Sequence, residues 1–153
     1  MRIRFENRNA FNVIGYSIET DLSSNDKDIG LLWRECKEKL MIMPESLSNL
    51  YGIIWYTKNH RYNYLLGIEK NDRFQSIEQY SIIKVPAAYF AVASVPNRMT
   101  AAEAWTEYFE KELPARNYAP DDKHGIYFEF YNEFGNCELW TPVKKQAVSA
   151  CAS

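Results

Sequence analysis

Histidine is scarce in this 153-residue chain, which has only His60 and His124. Each stands beside a predicted turn or strand entry with no second ligand nearby, so the sequence offers no framework for a zinc centre. The three cysteines, Cys36, Cys137 and Cys151, form an odd set without CxxC spacing. They read as free thiols in a reducing, cytoplasmic compartment. Basic excess is also missing: 18 Lys and Arg face 20 Asp and Glu, for a net charge of −2. That balance argues against direct nucleic-acid binding, which calls for a basic face. No stretch approaches the ~18 apolar residues that read as a membrane span, so no membrane contact is expected. The alternation in Met1-Arg2-Ile3-Arg4-Phe5 marks a strand rather than a secretory leader. No Ser-His-Asp set, reactive-cysteine context or cofactor motif is visible, and no cofactor is expected.

Apolar residues are plentiful, at 46 % of the chain with 15 % aromatic, enough for the core of a single domain of this length. Helical periodicity appears twice. Ile29, Leu32, Trp33, Cys36 and Leu40 share one face of a first helix, with Ser24, Asn25 and Asp26 supplying cap chemistry ahead of it. Ala101, Trp105, Phe109 and Leu113 share a face of the second. Thr100 and Glu103 form a capping-box pair at its start, and Pro114 is expected to end it near Leu113. Strand patterns run over about Asn12–Thr20, Leu50–Thr57, Arg61–Lys70, Gln79–Val95, Gly125–Asn132 and Cys137–Val143. Lys58-Asn59-His60 and Glu133-Phe134-Gly135-Asn136 have the composition of hairpin turns.

The order strand, helix, strand, strand occurs twice, and the text repeats with it. Trp33 and Trp105 lie mid-helix 72 positions apart, and Tyr51-Gly52-Ile53-Ile54 matches His124-Gly125-Ile126-Tyr127 at an offset of 73. The expected fold is α+β: a pseudo-two-fold duplication of a β-α-β-β unit, with half-repeats of about 1–72 and 73–145. One curved antiparallel sheet would carry both helices on one face and a ligand cleft on the other. Residues 146–153 read as a disordered tail.

In Ile126-Tyr127-Phe128-Glu129-Phe130-Tyr131, alternation puts Ile126, Phe128 and Phe130 on one face and Tyr127, Glu129 and Tyr131 on the other. The first set is the natural partner of the helices. The second sets a carboxylate between two phenols on the face expected to be uncovered. The offset of 73 makes Tyr56 the counterpart of Glu129, so Tyr56 is expected to face it across the axis. Tyr62, Tyr64, Tyr89, Trp140 and Trp55 or its neighbours are further candidates for the same surface. A carboxylate among ring faces suits a cation, because the rings carry negative density on their faces. Strand aromatics are more often plain core, and a strand glutamate is more often solvated; alternation alone leaves that alternative open.

At these residues the chain resembles the GyrI-like small-molecule-binding family, the gyrase-inhibitory-protein-like fold that also serves as effector-binding domain of AraC-type and MerR-type multidrug regulators. Phe11-Asn12-Val13-Ile14-Gly15 is similar to the family's first-strand motif. Tyr62-Asn63-Tyr64-Leu65-Leu66-Gly67-Ile68-Glu69 is similar to its aromatic-x-aromatic-x-x-Gly-Val-Glu strand. Val85-Pro86-Ala87-Ala88-Tyr89-Phe90-Ala91-Val92 is close to its Ile-Pro-Ala-x-x-Tyr-Ala-Val signature. Trp105, Leu113-Pro114 and Tyr118 follow its Trp-Leu-Pro-x-x-x-Tyr pattern loosely. Phe128-Glu129-Phe130-Tyr131 and Glu138–Val143 correspond to its closing strands. The ordered set covers about residues 1–145; the loop Met41–Asn49 and the tail Lys144–Ser153 have no counterpart.

The resemblance implies a bacterial effector-binding domain whose central acidic residue is Glu129. It would stand alone, without the helix-turn-helix domain that the regulators carry. The expected function is binding of lipophilic, cationic aromatic compounds by Glu129, Tyr127, Tyr131, Tyr56, Tyr64, Tyr89 and Trp140. Two alternatives stand beside it. One is hydrolysis of reactive electrophilic small molecules with Glu129 as acid or base; the other is regulation through a protein partner. Uncovered sheet edges leave a homodimer open as well.

Overall fold

The computed structural model describes residues 1–40, 49–70, 80–123 and 125–146. The loop over 41–48, His124, Cys151 and all but the first residue of the expected disordered tail lie outside the described residues.

The described residues form nine strands and two helices, in the expected order but for the short strand Tyr118–Pro120, which was not expected. They are β1 (Arg2–Arg8), β2 (Phe11–Asp21), α1 (Asn25–Leu40), β3 (Leu50–Tyr56), β4 (Arg61–Glu69), β5 (Ser81–Val85), β6 (Ala88–Ser94), α2 (Ala101–Glu107), β7 (Tyr118–Pro120), β8 (Ile126–Tyr131) and β9 (Cys137–Lys145). The segment expected as one long strand over Gln79–Val95 is two, β5 and β6. They part at Pro86, which has no N–H to give to a ladder. The α2 helix passes into a π-helical turn over Tyr108–Glu112, and a last helical turn runs over Leu113–Ala115. Pro114 therefore lies inside that final turn, one step beyond the expected end.

All pairings among the described strands are antiparallel, in the order β1-β6-β9-β8-β3-β4-β2-β5, with β7 added beside the end of β9. The duplication is visible in this order. On either side of the central pair β3 and β8, β4 corresponds to β9 and β2 to β6. The outer strands are exchanged: β1 pairs with the second half's β6 and β5 with the first half's β2. Ile54 pairs with Tyr127, and these two are separated by the repeat offset, so the pseudo-two-fold axis passes between them.

This exchange bends the sheet. β1 lies at one end of the order and β2 next to the other, yet only Asn9 and Ala10 connect them; Pro86 and Ala87 connect β5 to β6 in the same way. Two linking residues span about 10 Å at most, whereas strands in a flat sheet are about 4.8 Å apart. The sheet therefore curls until its ends approach. Its inner face fills with its own side chains: Phe128 meets Phe11 at 5.5 Å, Phe90 at 5.6 Å and Trp140 at 5.2 Å between ring centroids. The Arg8 guanidinium lies 3.8 Å from the Phe11 ring centre and donates to the Tyr51 hydroxyl at 3.0 Å.

The helices pack on the outer face. Leu32 and Cys36 of α1 are buried with Ile14, Tyr64, Leu66 and Ile68. Ala104 of α2 and Tyr108 and Leu113 beyond it are buried with Ala91, Ala93 and Leu139. Here the structure corrects the expected sidedness. Ile126, Phe128 and Phe130 belong to the helix-free inner core, while Tyr127, Glu129 and Tyr131 share the face that carries the helices. The face expected to hold the cleft needs no helix, because the curl closes it on itself.

Candidate functional site

Each helix covers its own half of the outer face: α1 packs on β2 and β4, and the second helical segment on β6 and β9. Over the central strands β3 and β8 a cavity of about 590 Å³ remains, a size suited to a small organic molecule. Ile29 and Trp33 of α1 form one wall, Trp105 and Phe109 the other, and Glu129 lies at the floor with Tyr64 and Tyr131. The cleft thus lies between the helices, not opposite them.

The α2 wall is fixed from its first turn. Thr100 Oγ1 accepts from the Glu103 N–H at 3.2 Å, and Glu103 Oε1 accepts from the Thr100 N–H at 3.4 Å. This is the capping box expected from the sequence. At the π-helical turn, the Tyr108 hydroxyl donates to the Ala91 carbonyl at 2.7 Å. Trp105 stacks on Phe109 with centroids 5.3 Å apart, and Phe109 meets Tyr127 edge-on at 5.8 Å. Across the cavity Trp33 stands edge-on to Tyr131 at 4.9 Å.

Glu129 is buried, at 6 % exposure, and three ring-borne donors hold its carboxylate. Oε1 accepts from the Tyr64 hydroxyl at 2.8 Å and the Tyr131 hydroxyl at 2.9 Å; Oε2 accepts from the Trp105 indole N–H at 2.8 Å. Burial pushes its pKa up, and the bonds from Trp105, Tyr64 and Tyr131 draw it part of the way back. The same burial, with the carboxylate beside them, raises the phenols of Tyr64 and Tyr131, so both stay protonated and donate to it. Among the described residues no ion pair reaches Glu129. The described charged side chains that line the cavity, Asp26, Glu110 and Glu129, are all acidic.

Five aromatics sought with Glu129 therefore line the cavity beside it: Tyr56, Tyr62, Tyr64, Tyr127 and Tyr131. Tyr56 is at the mouth, 59 % exposed, 6.1 Å from the Tyr127 ring. It does not face Glu129; the residue directly across the ladder is Gly52. A Cβ at Gly52 would stand 2.6 Å from Tyr64 Cζ and 3.0 Å from Glu129 Oε1. Tyr89 and Trp140 are elsewhere. Tyr89 lies near the edge of the sheet against Phe5 and Tyr118. Trp140 belongs to the inner core, with Arg4 and Arg8 over its ring. Alternation had left their facing open, and their strands β6 and β9 lie away from the cavity floor. Trp33, Trp105 and Gly52 were not singled out for this site: an aromatic in a helical stripe reads as core, and a glycine in a strand match reads as backbone.

The family model for integron-associated effector binding proteins (Cass2) matches residues 4–143. The chain belongs to this effector-binding family. No curated protein sequence matches it. Among solved structures, SAV2435 bound to tetraphenylphosphonium superposes with a TM-score of 0.72 at 14 % identity, over 94 % of each chain. The integron cassette protein from the mobile metagenome of Vibrio cholerae gives a TM-score of 0.67 at 15 % identity, over 93 % of this chain and 95 % of that one. The C-terminal domain of EcmrR gives 0.56 at 15 % identity, over 94 % and 98 %. The GyrI-like resemblance read from the sequence and the fold of this effector-binding domain thus agree, and small-molecule binding is the family's function class.

Proposed function

We propose that the effector-binding domain takes lipophilic organic cations into the cavity between its helices, with Glu129 as countercharge and the surrounding rings as walls. The observation that carries this reading is the buried Glu129 carboxylate, hydrogen-bonded by three neutral groups and by no cation among the described residues. A buried charge without a countercharge is costly, and a cation entering the cavity removes that cost. Ring faces add attraction of about 0.5–2 kcal/mol per contact. The tetraphenylphosphonium held by a protein of the same fold is a ligand of this kind.

Hydrolysis with the same glutamate is less well supported, because three hydrogen bonds already engage the carboxylate that would have to activate water.

The test is a tryptophan-fluorescence titration with aromatic cations and their neutral analogues, using the wild type beside Glu129→Gln. Trp33 and Trp105 line the cavity and report occupancy. Cations should bind more tightly than neutral analogues, and the substitution should remove that margin. Equal affinity for both, unchanged in the variant, would overturn the reading.

A further inference from the structure

The three donors on Glu129 do more than stabilise a charge. An ionised carboxylate has about four lone-pair sites, and here three are taken: two on Oε1 by Tyr64 and Tyr131, and one on Oε2 by Trp105. Charge remains available to a ligand, but hydrogen-bond capacity is nearly spent. A guanidinium or amidinium prefers two parallel N–H bonds to the two oxygens of a carboxylate, and Oε1 has no site left for the second. A primary ammonium carries three N–H donors and would find one acceptor here. Its other donors would have no second site on the carboxylate, and the Trp33 and Trp105 rings beside it offer faces rather than acceptors.

An onium cation has no such difficulty. Quaternary ammonium and phosphonium centres have no N–H to satisfy, and a tertiary ammonium has one, which matches the single free site on Oε2. Their charge is spread over alkyl or aryl surface that packs against Trp33, Trp105 and Phe109.

We propose that Tyr64, Tyr131 and Trp105 act as a specificity filter, filling Oε1 of Glu129 and leaving one free site on Oε2, so that the cavity selects weakly donating onium cations over guanidinium and primary ammonium groups. The filter rests on the cation-binding reading above and adds the class of cation. Gly52 makes it possible, because a side chain there would occupy the space in which the Tyr64 hydroxyl meets Oε1.

Tyr64→Phe returns one acceptor site on Oε1 without changing the charge or the ring. Tyr131→Phe returns the other, and serves if the first variant does not fold. The experiment compares benzyltrimethylammonium with benzylguanidinium by calorimetric titration in the wild type and these variants. In the wild type the trimethylammonium probe should bind about tenfold more tightly, the worth of one charge-assisted hydrogen bond left unmade. In either phenylalanine variant that ratio should fall to near one. A ratio is insensitive to a general loss of stability. Equal binding of the two probes to the wild type, or an unchanged ratio in a variant that still binds both, would overturn the filter and leave the cation reading intact. No binding of either probe to the wild type would overturn both.

Discussion

Gly52 and Tyr64 share one volume. The two lie on neighbouring strands of the outer face, and the Tyr64 ring passes over the Gly52 Cα on its way to Glu129. A Cβ on Gly52 would come within 2.6 Å of Tyr64 Cζ, closer than any real side-chain contact. Because Tyr64 is fully buried, its ring has little room to retreat. Glycine is therefore required at 52 by what crosses above it, not by backbone conformation.

Alanine at an open strand position normally gains about 0.5–1 kcal/mol over glycine. Gly52→Ala should do the opposite and cost about 1–3 kcal/mol, the usual penalty of overpacking. Urea denaturation reads the sign. Cation affinity should fall as well, by about tenfold, as Tyr64 is forced off the carboxylate. A stabilised variant with unaltered affinity would show that Tyr64 reaches Glu129 by another path.

Glu129 links binding to pH. Burial raises its pKa above the ordinary carboxyl range, so between the two values the folded chain holds a proton that the unfolded chain has lost. The contribution of Glu129 to stability is then fully present at pH below the ordinary range and is lost as pH rises through that window. A bound cation favours the ionised form, so affinity should rise with pH through the same window, and binding should release a proton there. Calorimetric titrations in two buffers of different ionisation enthalpy measure the release. None at any pH in the window would mean that Glu129 is already ionised before the ligand arrives.

Thr100 and Glu103 hold the start of the α2 wall. Thr100→Ala removes the Oγ1 acceptor of the first turn and should cost about 1 kcal/mol, read as a lower urea midpoint with an unchanged slope. An unchanged midpoint would show that water replaces the cap without loss.

The Cys36 and Cys137 thiols should be inert. Burial, with the Glu129 charge adding to it, pushes the Cys137 thiol up to about 12, and Cys36 is buried on the sheet-facing side of α1. Iodoacetamide at pH 8 should label neither in the native protein and both after denaturation, counted by mass spectrometry. Rapid native labelling of Cys137 would contradict the packing around Tyr131.

Much of this was readable in the chain. The duplicated order, the capping box and the choice of Glu129 came from spacing and alternation, which depend on local geometry. What alternation cannot give is the side of the sheet. In β8 each set of three has two aromatics, so the rings in Ile126–Tyr131 do not say which set faces the helices. That depends on the curl, which follows from the strand exchange of β1 and β5, a long-range pairing. Trp105 was missed for a related reason. Its position in the helical stripe Ala101, Trp105, Phe109 and Leu113 is that of a core residue, and its N–H finds Glu129 only because the stripe overhangs the cavity. β7, three residues long, is too short to show a period.

The axis through Ile54 and Tyr127 has a consequence for ancestry. If a single β-α-β-β unit once paired with a copy of itself about that axis, every residue occurred twice around the cleft. The counterparts of Tyr56 and Glu129 would then have been one and the same residue, and a pair of buried glutamates would repel. Joining the copies in one polypeptide lifted that restriction: one half could acquire the acid while the other kept a ring at the mouth. The lopsided chemistry of the cavity is something two identical units about one axis cannot hold, and a single chain with two unlike halves can.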